Sequence, residues 1–371
     1  MVKILLWFSV YLLSQKSKAQ DSTVLQWWNP AQCDSQVIEG QGWGSQLRGS
    51  YQRLPESTRH FVNEEVWKLS HNAAGLVIRF TTHADQIVVR YKVEGALAMP
   101  HMPATGVSGI DLYGLDSNGN YLWCAGKSIF KDTIEYRFAN LKPINIHPGT
   151  GIEYRLYLPL FNTITWLAIG TPLTSKCMPL PVRNIKPIVV YGTSIVQGAC
   201  ASRPGMAWTA IVSRKLNIPV VNLGFSGAGR LDKPVIELLN EINAQAYIFD
   251  CLPNLIGGKA DFTEAEIYQR IISAVWEIRK KHPVAPILLT DHFGYTDAPI
   301  NPLKRIQFER VNEVNNKAFQ TLKHNDVQHI FLLTTAALQQ DQDTMVDGIH
   351  PTDLGMMRYA NAYYQLLHKI L

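Results

Sequence analysis

The sequence predicts an α/β domain, a parallel sheet with helices on both faces, preceded by an antiparallel β-sandwich. Two observations carry this reading. From Ile188 to Ile370 strand-like and helix-like runs alternate, the pattern of a parallel sheet with crossover helices. Before Pro181 the texture is instead short strands between turn clusters, with no amphipathic helix of useful length. Length and composition agree. The 371 residues, 46% apolar and 18% charged, suffice for two domains with a substantial core. The net charge of +5 is not gathered into a Lys/Arg block, so nucleic acid is not an expected partner.

Residues 1–19 read as a signal peptide. Lys3 precedes an apolar run from Ile4 to Leu13, and Ser17-Lys18-Ala19 offers small residues at the −3 and −1 positions of a cleavage site. A run of about ten residues is too short to span a bilayer. The alternative is an N-terminal anchor. No later run is long enough to cross a membrane, so stable insertion is not expected. Export permits disulfides. The five cysteines (Cys33, Cys124, Cys177, Cys200 and Cys251) are odd in number and irregularly spaced, so no bridge is assigned. No Cys-x-x-Cys pair is present to build a Cys-based zinc site. The eleven histidines show no His-Glu-x-x-His or His-x-x-Glu-His spacing, and neither metal nor cofactor is expected.

Residues 20–181 are assigned to the sandwich. Its strands are expected at Gly75–Phe80, Gln86–Tyr91, Ser108–Tyr113, Tyr121–Cys124, Thr133–Phe138, Ile152–Tyr157 and Ile164–Ile169. Pro179-Leu-Pro-Val-Arg183 and Lys186-Pro187 mark a linker. Residues 182–371 then give strands at Ile188–Tyr191, Pro219–Leu223, Ala246–Phe249, Pro286–Thr290 and His329–Leu333. Helices are expected at Ala207–Leu216, Pro234–Asn243, Glu264–Lys281, Leu303–Leu322 and Leu354–Ile370. Ligands of such a sheet bind at the C-terminal ends of its strands.

Candidate chemistry collects at those ends. Ser194 follows the first strand in Val189-Val-Tyr-Gly-Thr-Ser-Ile-Val-Gln-Gly198. It reads either as a helix cap or as a nucleophile, and a nucleophile needs a base. His350 is the candidate base. It lies in Asp347-Gly-Ile-His350 before the last helix, where a carboxylate three residues away can orient its imidazole. An ordinary polar loop with a Pro351-Thr352 cap would read the same way. Gly227, in the loop after the second strand, and Asn254, after the third, are either turn residues or donors. With the Ser194 N–H they would form an oxyanion hole. His292, after the fourth strand, either lines the pocket or is a structural histidine. Arg203 either anchors its loop or touches substrate, and Trp208 reads as core. The Ala98-Met-Pro-His-Met-Pro103 loop either reaches over the site or merely joins strands.

These blocks together resemble the SGNH/GDSL hydrolases. Gly192-Thr-Ser194 matches the nucleophile block, with Thr where the motif has Asp. Asn222 to Gly227 matches the glycine block, Asn254 the asparagine block, and Asp347-x-x-His350 the last. The third block departs most, with Leu-Pro-Asn-Leu in place of Gly-x-Asn-Asp. Upstream, Gly109-Ile-Asp-Leu-Tyr113 resembles the Gly-x-Asp-Leu-Tyr signature of a sandwich domain found ahead of one SGNH subgroup. That subgroup's Ser-x-x-Gln-Gly and Ser-Arg-Pro-Gly stretches appear as Ser194–Gly198 and Ser202–Gly205.

The resemblance implies a flavodoxin-like SGNH domain behind a jelly-roll-like sandwich, in an exported bacterial enzyme, periplasmic or secreted. It implies a serine esterase that cleaves carboxylic esters, acetyl esters first, on carbohydrates through an acyl-enzyme. By their positions near Ser194 and after a strand end, Gln197, Arg203 and His292 are candidates for the substrate pocket. The alternatives are a lysophospholipase- or thioesterase-type lipid esterase, and a non-catalytic glycan-binding module. The complete Ser194, Asp347 and His350 set speaks against the last.

Overall fold

The computed structural model of the chain describes residues 24–141, 151–257 and 261–371. The expected signal peptide lies outside the described residues. In the N-terminal half the elements are β1 (Leu25–Trp28), β2 (Ile38–Glu39), α1 (Glu64–Ser70), β3 (Val77–Thr82), β4 (Gln86–Val93), α2 (Ala104–Val107) and β5 (Asp111–Leu115). They continue with β6 (Tyr121–Cys124), β7 (Lys127–Ile129), β8 (Ile134–Ala139), β9 (Ile152–Tyr157), β10 (Ile164–Pro172) and β11 (Cys177–Pro179). One antiparallel sheet runs β1-β10-β4-β8-β7 and the other β11-β3-β9-β5-β6, with β2 beside β3. Between them Ile78, Phe80, Val89, Tyr91, Leu112, Phe138, Leu156 and Leu167 belong to one buried core. This is the expected sandwich, since alternate residues of each strand face inward.

The C-terminal half contains β12 (Ile188–Gly192), α3 (Ser194–Gln197), α4 (Trp208–Leu216), β13 (Val220–Gly224), α5 (Lys233–Leu239), β14 (Ala246–Asp250) and α6 (Glu264–Lys281). It ends with β15 (Ile287–Thr290), α7 (Pro302–His324), β16 (Ile330–Leu333), α8 (Thr335–Leu338) and α9 (Asp353–Ile370). The sheet order is β13-β12-β14-β15-β16, and every neighbouring pair is parallel. β12 is buried at all its positions. Val189 and Tyr191 enter one core and Ile188 and Val190 the other, as period-two alternation in a doubly covered strand requires. The chain leaves β12 toward β13 on one side and then crosses to β14 on the other. The C-terminal end of β12 is therefore the topological switch point, where such sheets bind ligands.

The two halves share their cores. Trp43, Leu47, Leu54, Val62 and Val66, from the segment before β3, pack against Val221, Leu223 and Phe225 of the parallel-sheet half. On the other face Val107, Tyr157, Leu160 and Phe161 join Ile195, Val196 and Trp208, so Trp208 is core as expected. Arg53, 1% exposed, pins the seam. Its guanidinium donates to the carbonyls of Asn222 (3.1 Å), Gly224 (2.7 Å), Leu69 (2.6 Å) and Asn72 (2.9 Å). Among the described residues all five cysteines are free. No helix of the described residues is long and apolar enough to cross a membrane.

Candidate active site

Ser194 stands at the first position of α3, immediately beyond β12, and is 8% exposed. The cap of α3 is Thr193, whose side chain accepts from the Ile195 N–H, so the Ser194 hydroxyl is free for other work. Its Oγ lies 2.8 Å from His350 Nε2. His350 Nδ1 in turn lies 2.7 Å from Asp347 Oδ2. The loop that holds this pair closes on itself, with the Val346 N–H donating to the His350 carbonyl at 2.8 Å. Gly348 turns the chain at φ +91°, a left-handed conformation that a side chain would strain. Asp347 Oδ1 accepts from the His350 N–H (2.9 Å) and the Ile349 N–H (3.2 Å). The spacing of Asp-x-x-His follows from this turn: one carboxylate oxygen stabilises the loop while the other faces the imidazole. Burial tends to raise the Asp347 pKa, but the hydrogen bonds and charge of His350 outweigh it and hold the carboxyl below its ordinary value. Thr352 caps α9, as the sequence allows, by accepting from the Gly355 N–H.

Gly227 and Asn254 come to the same sheet edge, after the strands on either side of β12. A Cβ on Gly229 would lie 1.8 Å from the Gly192 carbonyl oxygen, so only glycine lets this loop run against the nucleophile turn. Among the described residues no acceptor takes the Gly227 N–H, and the Ser194 N–H, at the start of α3, has none within its helix. Both N–H groups are therefore free to donate to a ligand at this sheet edge. Asn254 is placed less directly. Its amide donates to the Phe225 and Gly229 carbonyls at 3.5 and 3.3 Å, long contacts that also tie the Gly227 loop to β14.

The three candidate pocket residues all take structural roles, which for Arg203 and His292 is one of the two alternatives the sequence left open. Gln197 is fully buried. Its amide donates to the Leu160 carbonyl of the sandwich half (3.1 Å), and its Oε1 accepts from the Ser226 N–H (3.0 Å), so it positions the glycine loop. Arg203 anchors its loop: Nη1 donates to Asp111 Oδ2 (2.9 Å) and the Tyr113 hydroxyl (2.7 Å), and the guanidinium lies over the Trp123 ring. His292 is fully buried beside Phe293, Tyr295 and Phe308. Its Nδ1 accepts from the Gly294 N–H at 2.9 Å, and burial pushes its pKa down to about 3, so it is a neutral structural group.

The 98–103 loop does reach the site. Met99 and Met102 pair through two backbone hydrogen bonds of 3.0 Å, and the turn between them carries His101 to a ring-centroid distance of 5.7 Å from His350. Cys200 is there too, but burial, then the charge of Asp347, pushes its thiol up to about 12, so it is not a thiolate nucleophile.

Two positioning acids escaped the sequence reading. Asp111, in the Gly-x-Asp-Leu-Tyr stretch, accepts from Arg203, from the Gly205 N–H (2.7 Å) and from Trp123 Nε1 (2.9 Å). An acid inside an apolar strand was the available signal, because a buried carboxylate needs partners. Asp353 accepts from the Ser202 N–H (2.9 Å) and its hydroxyl (2.5 Å), and its place in the first turn of α9 was the corresponding hint.

A parallel sheet that delivers a serine, an imidazole and a carboxylate to its switch point defines an acyl hydrolase. Residues 185–368 match the GDSL-like lipase/acylhydrolase family, and residues 25–176 match the GxDLY domain, the N-terminus of SGNH-hydrolase-type esterases. The chain belongs to the SGNH/GDSL hydrolases and is an ester hydrolase. Among solved structures it is similar to a protein described as a GDSL-like lipase from Bacteroides ovatus (29% identity, TM-score 0.83, covering 94% of this chain and 98% of that one). A salicylyl-acyltransferase from a tetracycline biosynthetic pathway shares the fold (16% identity, TM-score 0.68, 95% and 96%). So does an acetyl xylan esterase from the rumen bacterium Butyrivibrio proteoclasticus (12% identity, TM-score 0.54, 93% and 98%). No curated protein matches the sequence.

Proposed function

We propose that the chain is a serine esterase that removes acetyl groups from carbohydrates through an acyl-enzyme on Ser194. The observation that carries the reading is the unbroken line from Asp347 through His350 to Ser194, at 2.7 and 2.8 Å. In this mechanism the Ser194 hydroxyl attacks the ester carbonyl while His350 Nε2 takes its proton. Asp347 fixes the imidazole tautomer and stabilises the imidazolium. The Ser194 and Gly227 N–H groups, joined by the Asn254 amide, receive the oxyanion. The imidazolium returns its proton to the leaving alcohol. Water then enters, His350 deprotonates it, and the carboxylic acid departs from Ser194.

The acetyl and carbohydrate assignment draws support from the acetyl xylan esterase and a family two carbohydrate esterase from Cellvibrio japonicus, which share the fold. The signal-like residues 1–19 support export to a periplasmic or extracellular compartment. Acetate release from a panel of acetylated polysaccharides, alongside p-nitrophenyl esters of increasing chain length, tests the reading. Acetate release with turnover falling beyond short acyl chains is the expected result. Best turnover on long chains would refute it in favour of a lipid esterase.

A further inference from the structure

Three soft or borderline metal ligands converge beside Ser194. His101, Cys200 and His350 each offer one ligand atom, and these atoms all lie within 4.8 Å of one another. They come from three separate parts of the chain. His101 sits on the Met99–Met102 turn of the sandwich half, and Thr105 ties that segment to the nucleophile side by donating to the Ser202 carbonyl at 2.7 Å. Cys200 lies in the loop after α3, and its Sγ approaches the His101 carbonyl at 3.5 Å. His350 closes the group, its ring tilted 31° to that of His101.

We propose that these three residues form a binding site for a thiophilic divalent metal, Zn²⁺ first, and that its occupancy silences hydrolysis. A thiolate with two imidazoles suits Zn²⁺ and rejects Mg²⁺ or Ca²⁺, which take oxygen ligands. Zinc bonds of about 2.0–2.3 Å hold tetrahedral ligands roughly 3.3–3.8 Å apart. The ligand atoms, now within 4.8 Å of one another, draw together to that spacing when an ion binds. Binding releases the thiol proton to solvent and changes no oxidation state. A solvent molecule completes the coordination.

The consequence for catalysis does not depend on which nitrogen of His350 is taken. Nε2 is the atom that faces Ser194, and Nδ1 is the atom that Asp347 orients. With either one on the metal, the imidazole no longer accepts the serine proton. This half of the proposal rests on His350 being the base, whereas the binding site itself does not.

Cd²⁺ titration of the full chain, followed by the ultraviolet thiolate-to-metal absorption, reads binding without reference to activity. One Cd²⁺ per chain with this absorption is expected, absent in Cys200→Ala. Affinity should fall by about tenfold or more in His101→Ala, since losing even an outer partner of a metal ligand costs that much. The ratio of p-nitrophenyl acetate turnover with and without Zn²⁺ is read in parallel. It should collapse in the natural chain, recover with a chelator, and shift to about tenfold higher Zn²⁺ in His101→Ala. Identical Cd²⁺ spectra for the natural chain and Cys200→Ala, or equal affinity in His101→Ala, would overturn the site. Site-specific absorption with undiminished turnover of the loaded protein would uphold binding and overturn the silencing, leaving the role of His350 as base to the Ser194 labelling.

Discussion

Ser194 needs three kinds of neighbour: a base, donors for negative charge, and a floor that holds its turn. The base is in place through hydrogen bonds of ordinary length, and two free N–H groups stand ready. Asn254 is the donor that must still move, because its amide faces carbonyls at 3.3 and 3.5 Å. An oxyanion at about 2.7–3.1 Å would outcompete such long contacts. Asn254→Ala should then lower kcat by about 10²–10³, measured on a short acyl ester; an effect below about threefold would leave it a turn residue. The floor is Asp250, whose backbone carbonyl accepts from the Thr193 N–H at 3.2 Å. Burial pushes its side chain up to about 7, against the Tyr363 hydroxyl that donates to it. An unfolded aspartate titrates near 3.9. The buried acid therefore stabilises the fold fully below about pH 4, and that contribution is lost as pH rises through about 7. Asp250→Asn should raise stability at pH 8 by on the order of 4 kcal/mol and far less at pH 4, read by denaturant unfolding. An equal change at both values would remove the titration account.

At the scale of elements, what could be read from the sequence was what is encoded locally. α6 spans Glu264–Lys281 as expected because Thr263 and Glu266 form a capping box and Ile267, Ile271, Val275 and Ile278 line one face. The five parallel strands were legible because both faces are buried and the apolar runs are short and bounded. β7 was not, since its three residues are all exposed and leave no burial pattern. α1 is only seven residues long, too short to display a period, so it went unread where no amphipathic helix of useful length was expected. Gln197 was misread for a different reason. Its partners, Leu160 and Ser226, are distant in sequence, and spacing carries no trace of such contacts. The element it steadies is the loop from Phe225 to Gly229. Gln197→Met keeps the volume but strips the Ser226 N–H of its acceptor. Stability should fall by about 1–3 kcal/mol and kcat by up to about 10²-fold, with KM little changed, as the Gly227 donor drifts. A KM effect with kcat intact would instead return Gln197 to the substrate pocket.

For the whole molecule, the sandwich completes the hydrolase half rather than hanging beside it. Arg53 satisfies carbonyls of β13, Asp111 holds Arg203, Leu160 receives Gln197, and the His101 turn borders the site. Nothing local in the sequence marks this seam, and a composition break at residues 179–187 suggests separable units. A chain beginning at residue 182 should therefore fail to unfold cooperatively, because both faces of its sheet lose apolar cover; a sharp thermal transition for that fragment would show independent folding. The central claim is that Ser194 is the nucleophile of the assembled molecule. Mass spectrometry of the full chain treated with a fluorophosphonate tests it most directly. The expected result is a single adduct on Ser194, with neither adduct nor ester turnover in a folded Ser194→Ala variant. An adduct on another serine, or turnover that survives Ser194→Ala, would contradict it.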